Sequence, residues 1–240
     1  MNNYLGISTV CFEKNNETIN VKLREAFSFF DVPLNQILFF DKKILSVQSL
    51  IDSRLCPDAS LVGGMESFEV LCGYFEKLSM NLGRIGIESV ILGSPFLRKS
   101  SVISKRELFG RINKIRNVFA GYNIKLYVEA LPKEFSDVLN SHQELLDLYV
   151  DVPYGIHVDI ATAISGQEGI VFFKNNIDQI DRFHFSVPGY GYNFDDYKLS
   201  IELLNLFISN KIKGTIEIQN FSLFDINVFI KKIHGYTNCK

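Results

Sequence analysis

Short apolar runs alternate with segments of helical periodicity along most of this chain, and this alternation constrains the fold more than any other feature. A run of roughly four to eight apolar residues predicts a strand, and apolar residues spaced by three and four predict a helix. Eight runs are predicted as strands: Tyr4–Val10, Gln36–Phe40, Ile44–Leu50, Ser89–Leu92, Asn123–Glu129, Gly155–Asp159, Arg182–Val187 and Gly214–Gln219. Eight strands, most of them followed by a helix, within 240 residues predict an α/β fold, a (β/α)8 TIM barrel that forms one domain over residues 1–240.

The predicted helices leave one gap in this pattern. They are Ile19–Phe30, Glu66–Leu82, Arg106–Tyr122, Asp137–Leu148, Phe194–Ser209 and Phe224–Ile233. Only residues 41–43 separate the second and third predicted strands, so we predict that the usual helix between them is missing. A doubly wound open sheet is the alternative fold, but no G-x-G-x-x-G sequence follows the first strand.

The charge balance argues against a polyanionic partner. The chain carries 25 Lys and Arg residues against 27 Asp and Glu residues, for a net charge of -2, and it contains no basic run. The sequence therefore offers no strong electrostatic attraction for nucleic acid phosphates or anionic lipids. We expect no nucleic acid and no membrane among its partners.

The cysteines and the N-terminal residues favour the cytoplasm. Cys11, Cys56, Cys72 and Cys239 are scattered without a C-x-x-C pair, which is typical of reduced thiols. No positively charged segment precedes the first apolar run, so this run predicts a strand rather than a signal peptide. No apolar run approaches the roughly 18 to 20 residues that a membrane helix needs. We therefore expect a cytoplasmic protein.

Polar side chains stand at or near the ends of four consecutive predicted strands: Glu129, Asp159, His184 and Glu217. Because side chains of a strand point to opposite faces in turn, His184 shares one face with Ser186 while Phe183 lies on the other. Catalytic groups of a TIM barrel lie at the carboxyl ends of its strands. We therefore expect these polar side chains to face the mouth of the barrel.

The three carboxylates of this set indicate a cation. Brought together, they would repel one another unless a positive charge compensates, and a divalent metal is the simplest such charge. Three oxygen donors and one imidazole favour Mn²⁺ or Mg²⁺, with Co²⁺ or Zn²⁺ as alternatives. Taken singly, each acid is equally well explained as a solvated strand end, and the histidine as a hydrogen-bonded core residue.

Five short motifs occur in order along the second half of the chain: Val128-Glu129, His157-Val-Asp159, Phe183-His-Phe185, Pro188-Gly-Tyr-Gly191 before Phe194, and Gly214-Thr-Ile-Glu217. In this order and spacing they resemble the xylose isomerase-like barrels. That family includes ketose 3-epimerases, hydroxypyruvate isomerase, inosose dehydratase and the apurinic endonucleases. The resemblance covers most of the chain from Gly83 onward.

The resemblance implies that Glu129, Asp159, His184 and Glu217 bind one divalent metal, and that Glu129 and Glu217 also act as acid and base on opposite faces of a substrate carbon. A metal chelated by a ketone and an adjacent hydroxyl acidifies the intervening C–H and stabilises the enediolate. One carboxylate then removes the proton and the other returns it. Return to the opposite face epimerises the carbon, and return to the neighbouring carbon isomerises the sugar.

Three further positions are candidate substrate-binding residues: Arg98, Thr162 and Gln48. The family usually has a histidine three positions after the strand aspartate, where this chain has Thr162. The third strand ends near Gln48, where the endonucleases would have a histidine. The segment from Ile91 to Arg98 resembles a G-S-P-x-x-R segment of the sugar phosphate isomerase-like members. Arg98 is therefore predicted to hold a phosphate or carboxylate of the substrate, with a solvated loop arginine as the alternative.

These features together favour a divalent-metal-dependent isomerase or epimerase of a small sugar or sugar phosphate. The sugar is the expected partner, and a homodimer is a further expectation. An inosose-type dehydratase would use the same metal and base, and a barrel that binds metal or sugar without turnover is a third hypothesis, motivated by Thr162. A phosphodiesterase is disfavoured, because four histidines in all do not easily supply a three-metal cluster.

Overall fold

Eight parallel strands follow one another in chain order around a closed barrel. This computed structural model describes residues 4–9, 17–40, 43–51, 53–99, 103–149, 154–190, 197–217, 227, 228, 230–233 and 235. The strands are β1 (Leu5–Ser8), β2 (Phe30–Pro33), β3 (Ile44–Gln48), β4 (Ser89–Leu92), β5 (Lys125–Glu129), β6 (Gly155–Asp159), β7 (Ile180–Phe185) and β8 (Lys213–Ile216). The prediction of a (β/α)8 TIM barrel is confirmed.

Helices connect most of these strands. Within the described residues they are α1 (Glu17–Ala26), α2 (Met65–Arg84), α3 (Lys105–Ala120), α4 (His142–Tyr149), α5 (Ile160–Ser165), α6 (Ile170–Asn175) and α7 (Lys198–Ser209). Residues 227, 228 and 230–233 are also helical, as predicted, whereas the predicted element ends at Val10, Phe194, Gln219 and Phe224 lie outside the described residues. None of the helices in the described ranges is both long enough and apolar enough to cross a membrane.

The chain groups into two compact units, one formed by Met1–Leu45 with His157–Lys240 and the other by Ser46–Ile156. Both divisions fall within strands, β3 and β6, rather than in a linker. That residues 1–240 form a single domain stays a prediction.

In the first unit, β7 separates an apolar face from a polar one. Phe183 is fully buried and its ring lies 5.1 Å from that of Phe207 on α7, which in turn lies 5.9 Å from the ring of Phe173 on α6. Because alternate residues of a strand face opposite sides, His184 is directed away from this aromatic cluster. The helices thus fix the strand from one face and leave the other for polar residues.

The second unit is built around α2, α3, β4 and β5. The rings of Phe75 on α2 and Phe119 on α3 lie 5.3 Å apart, and both are fully buried. The buried guanidinium of Arg111 donates to the carbonyl oxygens of Leu61 and Gly63 at 2.8 and 2.7 Å. These bonds tie the loop before α2 to the helical layer.

The prediction of a second strand at Gln36–Phe40 is wrong. Residues Leu34–Phe39 form a 3-10 helix, and β2 lies earlier, at Phe30–Pro33. Phe30 pairs with Ile7 of β1 and its N–H donates to the carbonyl of Lys43. Phe27 and Phe30 continue the helical spacing of apolar residues in α1. The predicted helix therefore ran to Phe30, which is the first residue of β2. The 3-10 helix stands where the α-helix between β2 and β3 was predicted to be missing.

Two other helical regions differ from the sequence prediction. The helix predicted from Asp137 begins only at His142, because the side-chain amide of Asn140 donates to the carbonyls of Leu131 and Ser136 and holds the preceding residues in a turn. The Ser141 hydroxyl then accepts from the N–H of Glu144, which is the usual N-terminal cap. The short helices α5 and α6 were not predicted, since six residues carry too little periodicity to distinguish a helix from a loop.

Gly214 in β8 provides a test of barrel packing. A Cβ at this position would lie 2.5 Å from the carbonyl oxygen of Phe183 and 2.6 Å from its ring. We expect Gly214→Ala to lower the free energy of unfolding by about 1–3 kcal/mol, because backbone and a packed ring must both shift. Gly110 on α3 has open space around it, and Gly110→Ala should raise the free energy of unfolding by roughly 0.5–1 kcal/mol. Urea denaturation of both variants measures this difference, and an unchanged midpoint for Gly214→Ala would contradict the packing.

Candidate metal centre at the carboxyl ends of the strands

His184 lies between two carboxylates. Its side chain is almost completely buried, at 2% exposure. The Nδ1 atom lies 3.0 Å from Oε2 of Glu217, and the Nε2 atom lies 3.2 Å from Oδ2 of Asp31. Each ring nitrogen therefore faces an acidic side chain, and a neutral imidazole can donate to only one of them.

Asp159 ends β6 and caps the first turn of α5. Its Oδ1 accepts from the N–H of Thr162 at 2.6 Å, and its Oδ2 accepts from the hydroxyl of Ser186 at 2.8 Å. The Ser186 oxygen in turn accepts from the N–H of Ala161 at 3.0 Å. These bonds fix the orientation of the carboxylate, and each oxygen keeps a second lone pair for a cation. Asp159 and His184 each present a ligand atom within 4.8 Å of the other.

Glu217 directly follows β8. Its N–H donates to the carbonyl of Phe185 at 3.1 Å, which continues the pairing of β8 with β7 by one residue. Its side chain is 16% exposed, more than that of Asp159 or His184. Within the first unit, Asp159 and Glu217 thus each lie near His184, and Glu217 is the most exposed of the three.

Glu129, the fourth predicted ligand, ends β5 in the second unit and is half-buried. Its carboxylate lies against Gly93, so closely that a Cβ on this glycine would overlap Oε2. The guanidinium of Arg98 donates to the backbone carbonyl of Glu129 at 2.7 Å and to that of Leu92 at 2.5 Å. The ends of β4 and β5 are therefore tied together beside this carboxylate.

Arg98 is not a solvated loop residue, because its side chain is fully buried. Burial lowers the pKa of Arg98 from its ordinary value of 12.5 to about 10, while Glu129 and Tyr154 act in the opposite direction. Both of its terminal nitrogens donate to the backbone. These contacts give Arg98 a structural role, and its contact with a substrate stays a prediction.

Thr162 and Gln48, the other two candidate substrate-binding residues, are also buried. Thr162 lies in the first turn of α5 and contacts Asp159 through its backbone N–H. Gln48 is the last residue of β3, at the carboxyl end where such barrels place their sites. For both residues, contact with a substrate stays a prediction.

Two residues of the centre were missing from the predicted set. Asp31 is 1% exposed at β2, and its Oδ2 accepts from the hydroxyl of Thr215 at 2.6 Å as well as facing His184. It escaped prediction because the second strand was placed too late in the chain. Ser186, which holds Asp159, was signalled by its position on the same strand face as His184.

The donor set fits a hard divalent cation. Within the first unit, Asp159 and Glu217 offer carboxylate oxygens beside the imidazole of His184, and buried carboxylates of like charge need a positive partner. Carboxylates and a single imidazole match the ligand preferences of Mn²⁺ and Mg²⁺ better than those of a thiolate-seeking metal. Cys56 and Cys72 are buried, and burial raises the pKa of both thiols, which disfavours the thiolate form that binds metals.

The closed barrel places this chain in a structural class. The solved structures that it resembles include sugar epimerases, a sugar phosphate isomerase/epimerase described as putative, and a xylose isomerase domain containing protein. The barrel fold that the sequence motifs implied is therefore confirmed. No family model matches the sequence, and no curated protein matches it.

Three of these structures show the extent of the likeness. A 3-keto-D-glucoside 4-epimerase from E. coli gives a TM-score of 0.74 at 13% identity, over 98% of this chain and 99% of that one. A xylose isomerase domain containing protein from Salmonella typhimurium LT2 gives 0.72 at 14%, over 99% and 98%. A D-psicose 3-epimerase from Clostridium cellulolyticum H10 gives 0.65 at 12%, over 95% and 89%. At such identities the likeness establishes the fold.

Ser186 provides a test of how Asp159 is held. Ser186→Ala removes the donor to Oδ2 of Asp159 and the acceptor for the N–H of Ala161, both buried. We expect a loss of about 1–3 kcal/mol in the free energy of unfolding, because buried polar groups without partners are costly. Ser209→Ala on the exposed end of α7 is the matched control, expected within about 0.5 kcal/mol of wild type. Equal stability of the two variants would show that Ser186 does not support the aspartate.

Proposed function

We propose that this protein is a divalent-metal-dependent isomerase or epimerase of a small sugar or sugar phosphate. The observation that carries the proposal is that Asp159 and Glu217 each approach His184 at the carboxyl ends of β6 to β8. A TIM barrel places its chemistry at this end. The sugar epimerases among the similar solved structures support the same class of substrate.

Glu129, Asp159, His184 and Glu217 would hold the metal, with Mn²⁺ or Mg²⁺ favoured. Glu129 is included because the Val128-Glu129 motif resembles the strand that ends in a ligand glutamate in the xylose isomerase-like barrels. When bound, the metal would polarise a ketone and its neighbouring hydroxyl and so acidify the C–H bond between them.

The surroundings of the carboxylates suggest how they divide the work. Both oxygens of Asp159 accept hydrogen bonds from the protein, so this residue is suited to anchoring rather than to proton transfer. Glu217 is partly exposed, and Glu129 is half-buried against a glycine rather than a bulky side chain. We assign Glu217 and Glu129 as the base and acid that remove and return the substrate proton.

A barrel that binds a sugar without turning it over is a second candidate. Thr162 favours it, because the resembled family usually has a histidine at this position. Thr162 contacts Asp159 through its backbone, so its side chain adds no donor to the carboxylate. Binding of a sugar in the presence of Mn²⁺ without any exchange of its C–H protons would support this candidate over the enzyme.

The decisive experiment is a screen of ketoses and sugar phosphates in D₂O with Mn²⁺, with C–H exchange followed by NMR. We expect Glu217→Gln to slow exchange by roughly 10²–10⁴-fold, because an amide cannot accept the proton. Its circular dichroism spectrum and unfolding midpoint should match those of wild type, because the change is isosteric. Glu66→Gln on the exposed start of α2 should leave exchange unchanged. Wild-type rates in Glu217→Gln would refute the assigned role.

Gly93 tests whether Glu129 takes part. An alanine here would force the carboxylate of Glu129 to move, while the fold should tolerate the change because the overlapping atom ends a flexible side chain. We expect Gly93→Ala to reduce the exchange rate by about 10²-fold, the usual effect of misplacing a catalytic group by about 1 Å. Gly73→Ala on α2, where the added methyl meets open space, is the control. Undiminished exchange in Gly93→Ala would remove Glu129 from the mechanism.

A further inference from the structure

Asp31 is a buried carboxylate that the proposed reaction does not use. It lies in β2 on the inward face, 1% exposed, and its Oδ2 is 3.2 Å from Nε2 of His184. The hydroxyl of Thr215 donates to the same oxygen at 2.6 Å. A buried carboxylate requires strong donors, and the imidazole N–H together with this hydroxyl supplies them.

The register of the strands explains how these side chains meet. His184 of β7 is paired with Thr215 of β8, so both side chains point to the same face. Thr215 is paired with Gly6 of β1, and Ser8 of β1 is paired with Asp31 of β2. The strand between Thr215 and Asp31 therefore contributes only Gly6 and Ser8 to this face.

We propose that Asp31 is a positioning residue that keeps the proton of His184 on Nε2, so that the lone pair on Nδ1 is directed at the metal. This inference rests on the proposed function, because it assigns a role toward the same metal. A metal-bound histidine commonly donates its second N–H to a carboxylate, which fixes both the tautomer and the orientation of the ring.

The geometry favours positioning over direct ligation by Asp31. Oε2 of the predicted ligand Glu217 lies 3.0 Å from Nδ1, which makes Nδ1 the nitrogen that would face a metal. Asp31 lies on the opposite edge of the ring. His157 packs edge-on against the same ring, with centroids 4.1 Å apart, and this contact opposes a ring flip. Asp31, His157 and His184 also lie within 4.8 Å of one another, so a metal on the Asp31 side is the rival arrangement.

The tautomer can be read in the metal-free protein by ¹⁵N NMR with labelled histidine. The chain has four histidines, and His184→Gln identifies the signals of His184 by their loss. We expect the spectrum to show a proton on Nε2 of His184, the nitrogen that faces Asp31. A proton on Nδ1 with Nε2 unprotonated would overturn the proposal.

Metal affinity provides the second readout. Titration calorimetry with Mn²⁺ should show roughly 10- to 100-fold weaker binding for Asp31→Asn, the usual cost of removing such a partner. Asp178→Asn makes the same change at an exposed aspartate of the 3-10 helix before β7, and as the matched control it should bind Mn²⁺ as tightly as wild type. Equal losses in the two variants, or complete loss of binding in Asp31→Asn with Nε2 unprotonated, would overturn the positioning role.

The two proposals fail in different ways. If wild-type protein binds no divalent metal, the proposed function is refuted, while the position of the proton on His184 still decides whether Asp31 sets the tautomer. If metal binds and C–H exchange occurs but Nε2 carries no proton, the function stands and the role of Asp31 is refuted.

Discussion

Three carboxylates of the first unit, Asp31, Asp159 and Glu217, lie around one imidazole, that of His184. Taking negative charges out of water is costly unless each oxygen finds a donor or a cation. The protein supplies donors where the sequence allows, a hydroxyl for Asp31 and a hydroxyl with a backbone N–H for Asp159. Carboxylates thus face both ring nitrogens of this imidazole, Asp31 at Nε2 and Glu217 at Nδ1. A set of carboxylates around one imidazole is a possible site for a divalent cation.

The barrel separates stability from chemistry by the alternation of side chains along its strands. In β7, Phe183 packs against Phe207 of α7, while the next residue, His184, faces the polar interior. The aromatic packing on the helix-facing side can therefore fix the backbone of β7 without contacting the polar residues on its other face. In the second unit, buried Arg98 ties the backbone ends of β4 and β5 together through carbonyl oxygens. Because these bonds use carbonyl oxygens, they fix the backbone at Glu129 without engaging its carboxylate.

The strand-end residues could be predicted because the carboxyl ends of parallel strands all lie at the same end of a barrel. Residues that end strands in the sequence are therefore expected at that end. Asp159 and Glu217 end or follow strands whose apolar runs are unmistakable, and His184 stands inside one. Asp31 could not be predicted, because β2 has four residues and follows α1 with an apolar spacing that continues the helix. The burial of Arg98 could not be predicted either, because a single charged residue between two elements shows no periodicity from which its burial could be inferred.

Thr162 shows that the residue which supports Asp159 need not have a particular side chain. Thr162 supports Asp159 through its backbone N–H, at 2.6 Å, and any residue except proline would supply the same donor. The side chain at this position is therefore not fixed by the need to orient the aspartate. In the resembled family the corresponding histidine is expected to contact a substrate oxygen. Under the proposed function, a shorter hydroxyl side chain here would change the donor that a substrate meets, so the proposed metal ligands and the residues that select the sugar could vary independently in this barrel.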